Sequence, residues 1–71
     1  MMLIMSQDKE LIMNLDNADD IDLDPNTDYT TIDIDNCEMG EYKSEERCKE
    51  ILIEIMKTAD VGGRVYYMPE E

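Results

Sequence analysis

The side chains of this chain that could do chemistry are carboxylates. Eleven lie from Glu10 to Glu41, and no lysine or arginine falls between Lys9 and Lys43. Asp20-Ile21-Asp22-Leu23-Asp24 alternates strictly, the period of a half-buried strand, and Asp33-Ile34-Asp35 repeats the pattern. On a strand, alternate side chains share one face about 6.8 Å apart. Asp20, Asp22 and Asp24 then form one row, and Asp33 and Asp35 a second if the strands pair. Three chemistries are open to such rows: proton transfer, cation binding, and attraction to a basic surface.

Proton transfer needs two groups whose environments push their pKa values apart, and these acids share one solvent-facing pattern. The chain has no histidine, no serine or cysteine beside a base, and a Gly62-Gly63 pair without a phosphate-cradling loop. The expectation is a protein that is not an enzyme. Calcium fares little better. Asp20-Ile21-Asp22-Leu23-Asp24 opens like an EF-hand loop, but Pro25 stands where the sharp turn wants glycine and Thr31 where the bidentate glutamate belongs. Without histidine, Cys37 and Cys48 alone cannot build a tetrahedral zinc site. No metal and no cofactor is expected.

Attraction to a basic surface remains. Parallel rows of negative charge imitate a nucleic-acid backbone and would steer rapidly to a groove built for one. Asp20, Asp22, Asp24, Asp33 and Asp35 would face the arginines and lysines of such a groove, with Asp28, Glu38 and Glu41 extending the patch. The expected partner is a nucleic-acid-binding protein. Direct binding to nucleic acid or to an anionic membrane is disfavoured by a formal net charge of −13. The competing reading is a solvated sheet face that keeps the protein soluble.

These carboxylates need elements to position them. Seventy-one residues make one domain, 1–71, with a small core. Met2–Met5 and Leu11–Leu15, divided by a polar cluster, read as a hairpin. Further strands are expected at Asp20–Asp24 and Tyr29–Asp35, with a short one from Cys37 to Tyr42 bent at Gly40. Ser44 is an N-cap for a helix carrying Cys48, Ile51, Leu52, Ile55 and Met56 on one face. Gly62-Gly63 ends it, and Arg64–Met68 returns as an edge strand. The fold class is α+β: a small curved antiparallel sheet of four to five strands packed on one amphipathic helix. Ile21, Leu23, Ile32 and Ile34 would face that helix, and seven methionines with no Phe or Trp suggest a soft core. Tyr66 and Tyr67 offer a second contact patch, where an unpaired strand could support homodimerisation by sheet extension. The five apolar residues at the start are too few for a signal peptide or membrane span, and two cysteines read as reduced, partly buried thiols, pointing to the cytoplasm.

Ser6-Gln7-Asp8-Lys9, Leu15-Asp16-Asn17, Met39-Gly40-Glu41-Tyr42-Lys43-Ser44-Glu45-Glu46-Arg47 and Tyr66-Tyr67-Met68-Pro69 together resemble a group of small proteins from phages, prophages and mobile elements of Gram-positive bacteria. In that group a QDK turn joins two N-terminal strands, a GEY-K-SEER stretch leads into the helix, and the chain ends near a YxMP segment. The resemblance covers both ends and leaves out the acidic middle; Cys48 stands where a small alanine-like residue is expected. It implies this fold and a phage origin, hence a host bacterial cytoplasm, and supplies no mechanism. Joined to the acidic rows, it leads to the expectation of a non-catalytic inhibitor of a host defence protein, such as an anti-CRISPR or anti-restriction nucleic-acid mimic. The alternative is a small oligomeric module that binds a ligand or a divalent ion.

Overall fold

The computed structural model describes residues 1–71. The strands are β1 (Leu3–Met5), β2 (Ile12–Asn14), β3 (Ile21–Pro25), β4 (Thr30–Ile34), β5 (Cys37–Tyr42) and β6 (Val65–Tyr67), with helix α1 at Glu45–Asp60. The α+β class and the single helix stand as expected. The strands, however, divide into two sheets of three, ordered β2-β1-β6 and β3-β4-β5, and β6 runs parallel to β1.

Local chemistry accounts for the hairpins. Between β1 and β2 the Ser6 hydroxyl donates to Asp8 Oδ1 at 2.6 Å and accepts from the Leu11 N–H, while Lys9 takes the left-handed φ of 65° that closes the turn. Between β4 and β5 the turn residues are Asp35 and Asn36, both at positive φ (50° and 68°), a conformation that Asp and Asn tolerate in two-residue hairpin turns. A register shift at Ile32/Asp33 inserts Met39 as an extra β5 residue, and its side chain is buried. Gly40 beside it leaves room for the Tyr42 ring, since a Cβ there would lie 2.6 Å from Tyr42 Cε2.

Helix α1 starts where Ser44 Oγ accepts the Arg47 N–H at 3.1 Å, with Glu45 and Glu46 in the first turn favourable to the dipole. Gly62, at φ 79°, turns the chain out of the helix. Cys48, Ile51 and Ile55 are buried and Leu52 half-buried, but Met56 is 72 % exposed. At 3.6 residues per turn Met56 points about 100° away from the mean direction of the buried three, beyond the stripe that one sheet can cover.

The core joins all three layers: Met2 and Ile4 from β1 and its approach, Ile32, Ile34, Met39 and Tyr42 from the β4–β5 hairpin, the three helix residues, and Met68. Ile21 and Leu23, on the edge strand β3, pack on its margin. Three methionines thus fill the core, while Met1 joins Met56 at the surface. Cys48 is buried and its Sγ lies 3.6 Å from the Thr30 carbonyl oxygen, whereas Cys37, expected to be partly buried, is exposed at the start of β5.

Gln7 ties the two sheets. Its N–H donates to the Met39 carbonyl, its side-chain oxygen accepts the Glu41 N–H at 2.9 Å, and its Nε2 donates to the carbonyls of Glu41 and Glu70. One side chain therefore occupies the open edge of β5 in the manner of a strand residue, and holds the segment after β6 against it.

Candidate acidic interface

The acidic strands owe their orientation to their alternation. Ile21 pairs with Ile34 and Leu23 with Ile32, which turns these four toward the core and sends the aspartates between them outward. The register then places Asp22 opposite Asp33 and Asp33 opposite Glu38. One row of three carboxylates crosses all three strands. The next row runs Asp24–Thr31–Glu41. Five carboxylates share this outer face, and none of the three strands contains a lysine or arginine.

The two central residues differ from the flanking ones. Asp33 is half-buried and accepts the Thr31 hydroxyl at 3.2 Å, and Thr31, though on the outer face, is only 3 % exposed between Asp24 and Glu41. Asp22, Asp24, Glu38 and Glu41 are exposed around them.

Three of the eight expected residues stand apart from these rows. Asp35 belongs to the β4–β5 turn, and its Oδ1 accepts the N–H groups of Asp19 and Asp20 at 2.9 and 3.2 Å. Its carboxylate closes a loop instead of projecting beside Asp33. Asp20 precedes β3 and flanks the rows from that same loop. Asp28 lies in the β3–β4 turn, at the far end of the sheet, where it lines a concavity with Tyr29, Tyr42 and Arg47. Arg47 is committed there, with Nε and one Nη donating to the Glu71 carbonyl oxygen at 3.0 and 2.9 Å and the other Nη to Glu50 at 3.2 Å.

Charge is segregated along the chain. Residues 1–42 hold twelve acidic and one basic side chain, and residues 43–71 hold seven and five. The helix side is therefore close to balanced, and the β3–β5 face carries the charge. Asp8, in the first hairpin, is held below the ordinary carboxylate range by the Ser6 hydroxyl and by the Glu10 N–H.

Tyr66 and Tyr67 part company. Tyr66 is half-buried and its hydroxyl donates to Glu54 Oε1 at 2.7 Å; burial and that carboxylate push its pKa upward. Tyr67 projects from the other face of the same strand and is 66 % exposed. Around it the outer face of the β2-β1-β6 sheet bears Leu3, Met5, Ile12 and Val65, none of them in the core. The sequence signal for this face was the unbroken apolar run Met1–Met5, which lacks the alternation of a strand with one wet side. No helix is long and apolar enough to cross a membrane. No family model, no curated protein and no solved structure matches the chain.

Proposed function

We propose that this protein is a non-catalytic inhibitor that occupies the basic groove of a nucleic-acid-processing protein, acting as a nucleic-acid mimic in a bacterial cytoplasm. The observation that carries the reading is the register Asp22–Asp33–Glu38 beside Asp24–Thr31–Glu41, five carboxylates on one sheet face with no cation among its strands. Like charges directly opposite on neighbouring strands destabilise a sheet. Solubility alone requires no such stacking, because the same charges spread over the surface would serve it at lower cost. A groove lined with arginine and lysine offsets that repulsion on binding, and long-range attraction speeds the encounter. The resemblance to phage and prophage proteins supports a host defence enzyme of the anti-CRISPR or anti-restriction target kind. Asp20 flanks the face; Asp35 supports it by holding the neighbouring loop.

The test is capture of bacterial lysate proteins on the tagged protein, eluted by rising salt and identified by mass spectrometry. The same capture is run with the variant D22N/D24N/D33N/E38Q/E41Q. A DNA- or RNA-processing protein retained at low salt, released as salt rises and lost with the neutralised variant is the expected result. Equal retention by the neutralised variant sinks the reading.

A further inference from the structure

The β2-β1-β6 sheet is the one layer of the molecule whose strands carry no charged residue on either face. Its inner face carries Ile4 into the core, with Met13 and Tyr66 packed against it. Its outer face carries Leu3, Met5, Ile12, Val65 and Tyr67 with the polar Asn14 at one corner. In a chain where 35 % of residues are charged, a wholly uncharged sheet is a surface on which a second body can rest without desolvating an ion.

The edge of that sheet is open. Leu3 N–H donates to the Arg64 carbonyl at 2.8 Å and Met68 N–H to the Met5 carbonyl at 3.0 Å, so residues 64, 66 and 68 spend their backbone groups on β1. By the alternation of a strand, Val65 and Tyr67 turn theirs outward, where no strand lies. Proteins protect such edges with lysine, proline or a bulge inside the strand. Val65-Tyr66-Tyr67 has none of these within it; only its three-residue length and the flanking Arg64 and Pro69 limit the edge.

We propose that β6 is a homodimer edge, at which a second copy of this chain adds its own β6 antiparallel across a two-fold axis at Tyr66. This inference does not rest on the role of the acidic face. The strand is complementary to itself in that register. Val65 of one copy meets Tyr67 of the other, twice by symmetry, and each such pair exchanges the two N–H···O bonds that both residues have free. The same pairing sets a β-branched residue against an aromatic one on the outer face, a favourable cross-strand combination.

Charge also selects a second copy. Arg64 is exposed and, like Lys43 and Lys57, makes no ion pair within the copy, although the molecule has acids in threefold excess over bases. In this register it stands opposite Met68 of the second copy and diagonal to its Glu70, within reach of a long side chain. Glu70 is 3.9 Å from Lys9 in its own chain and exposed enough to take a second partner. The acidic β3–β5 sheet contributes no strand to this junction, so the groups that repel most do not meet there.

The experiment is light scattering coupled to size-exclusion chromatography, with sedimentation velocity, on the full chain and on V65K/Y67K, I12K and R64E. The full chain is expected to show twice the 8.3 kDa of one copy. V65K/Y67K is expected to run as a monomer with an unchanged circular dichroism spectrum, since both side chains face solvent in the single copy. I12K, on the opposite edge strand, should remain dimeric, and R64E should dissociate at least tenfold more readily. A monomeric wild type at 100 µM overturns the inference, as does a dimer that survives V65K/Y67K. Loss of the dimer in I12K with survival in V65K/Y67K would place the contact on β2 and equally reject this register.

Discussion

Neutralising the centre of the acidic row should stabilise the free protein. Asp33 lies directly opposite Asp22 on one side and Glu38 on the other. Directly opposed Cβ atoms in an antiparallel pair are about 5 Å apart, and unit charges at that distance in water repel by about 0.8 kcal/mol. Two neighbours give about 1.6 kcal/mol, and with side-chain freedom and counter-ions about 0.5–1.5 kcal/mol is expected at low ionic strength. Asp33→Asn keeps the oxygen that accepts the Thr31 hydroxyl, so the substitution removes charge and little else. For a domain of this size the gain corresponds to a rise in Tm of about 3–10 °C. The assay is thermal and urea denaturation of D33N and wild type from 10 to 500 mM NaCl, under conditions where the oligomeric state of both is the same. The advantage of D33N should shrink as salt rises and the Debye length falls to a few ångströms. An unchanged or lowered Tm at 10 mM NaCl would refute the idea that this row stores repulsion, and with it the physical reason for reading the face as built for a basic partner.

The Gln7 tie between the sheets gives a second outcome. Gln7→Ala removes three side-chain hydrogen bonds of 2.8–3.0 Å and should cost about 1–2 kcal/mol, because water reaches the freed groups. Gln7→Glu loses both donations and sets a carboxylate against the Glu41 and Glu70 carbonyls, so urea midpoints should fall at least as far; a Glu variant more stable than the Ala variant would disprove the tie. The third concerns alkaline pH. Burial, with the Cys48 thiol nearby, pushes the Tyr42 phenol from an ordinary 10.0 up to about 12, and its hydroxyl donates to the Pro69 carbonyl at 2.7 Å. The unfolded chain therefore ionises this group first, so its contribution is whole below pH 10 and is lost as pH climbs toward 12. Tyr42→Phe should cost about 1 kcal/mol at pH 7 and flatten the decline of stability between pH 10 and 12, measured by urea titration at each pH. Burial of Tyr66 also raises its phenol, so a residual slope is expected in that variant.

Much of this architecture is local and therefore legible in the chain. Strict alternation in Asp20–Asp24 and Thr31–Asp35 dictates which side chains turn outward, because a strand has a period of two whatever it pairs with. Ser44, the spacing of Cys48, Ile51 and Ile55, and Gly62-Gly63 define a capped, one-sided helix for the same reason. The sequence also shows that the uncompensated negative charge is concentrated in residues 1–42.

What tertiary structure decided is which rows meet. Asp22 opposite Asp33 depends on the turn that joins β3 to β4, where the Asn26 N–H donates to the Tyr29 carbonyl. Asp33 opposite Glu38 depends on the tight Asp35-Asn36 turn, and Thr31 opposite Glu41 on the Met39 bulge, a single residue that resets the register. The Asp35-Asn36 turn also withdrew Asp35 from the acidic rows and gave its carboxylate to the Asp19 and Asp20 amides. Division into two sheets, the parallel return of β6 beside β1, and the span of Gln7 to Glu41 and Glu70 are contacts between segments far apart in sequence. No local preference encodes them; they follow from how the apolar faces and open backbone groups of the whole chain are satisfied at once.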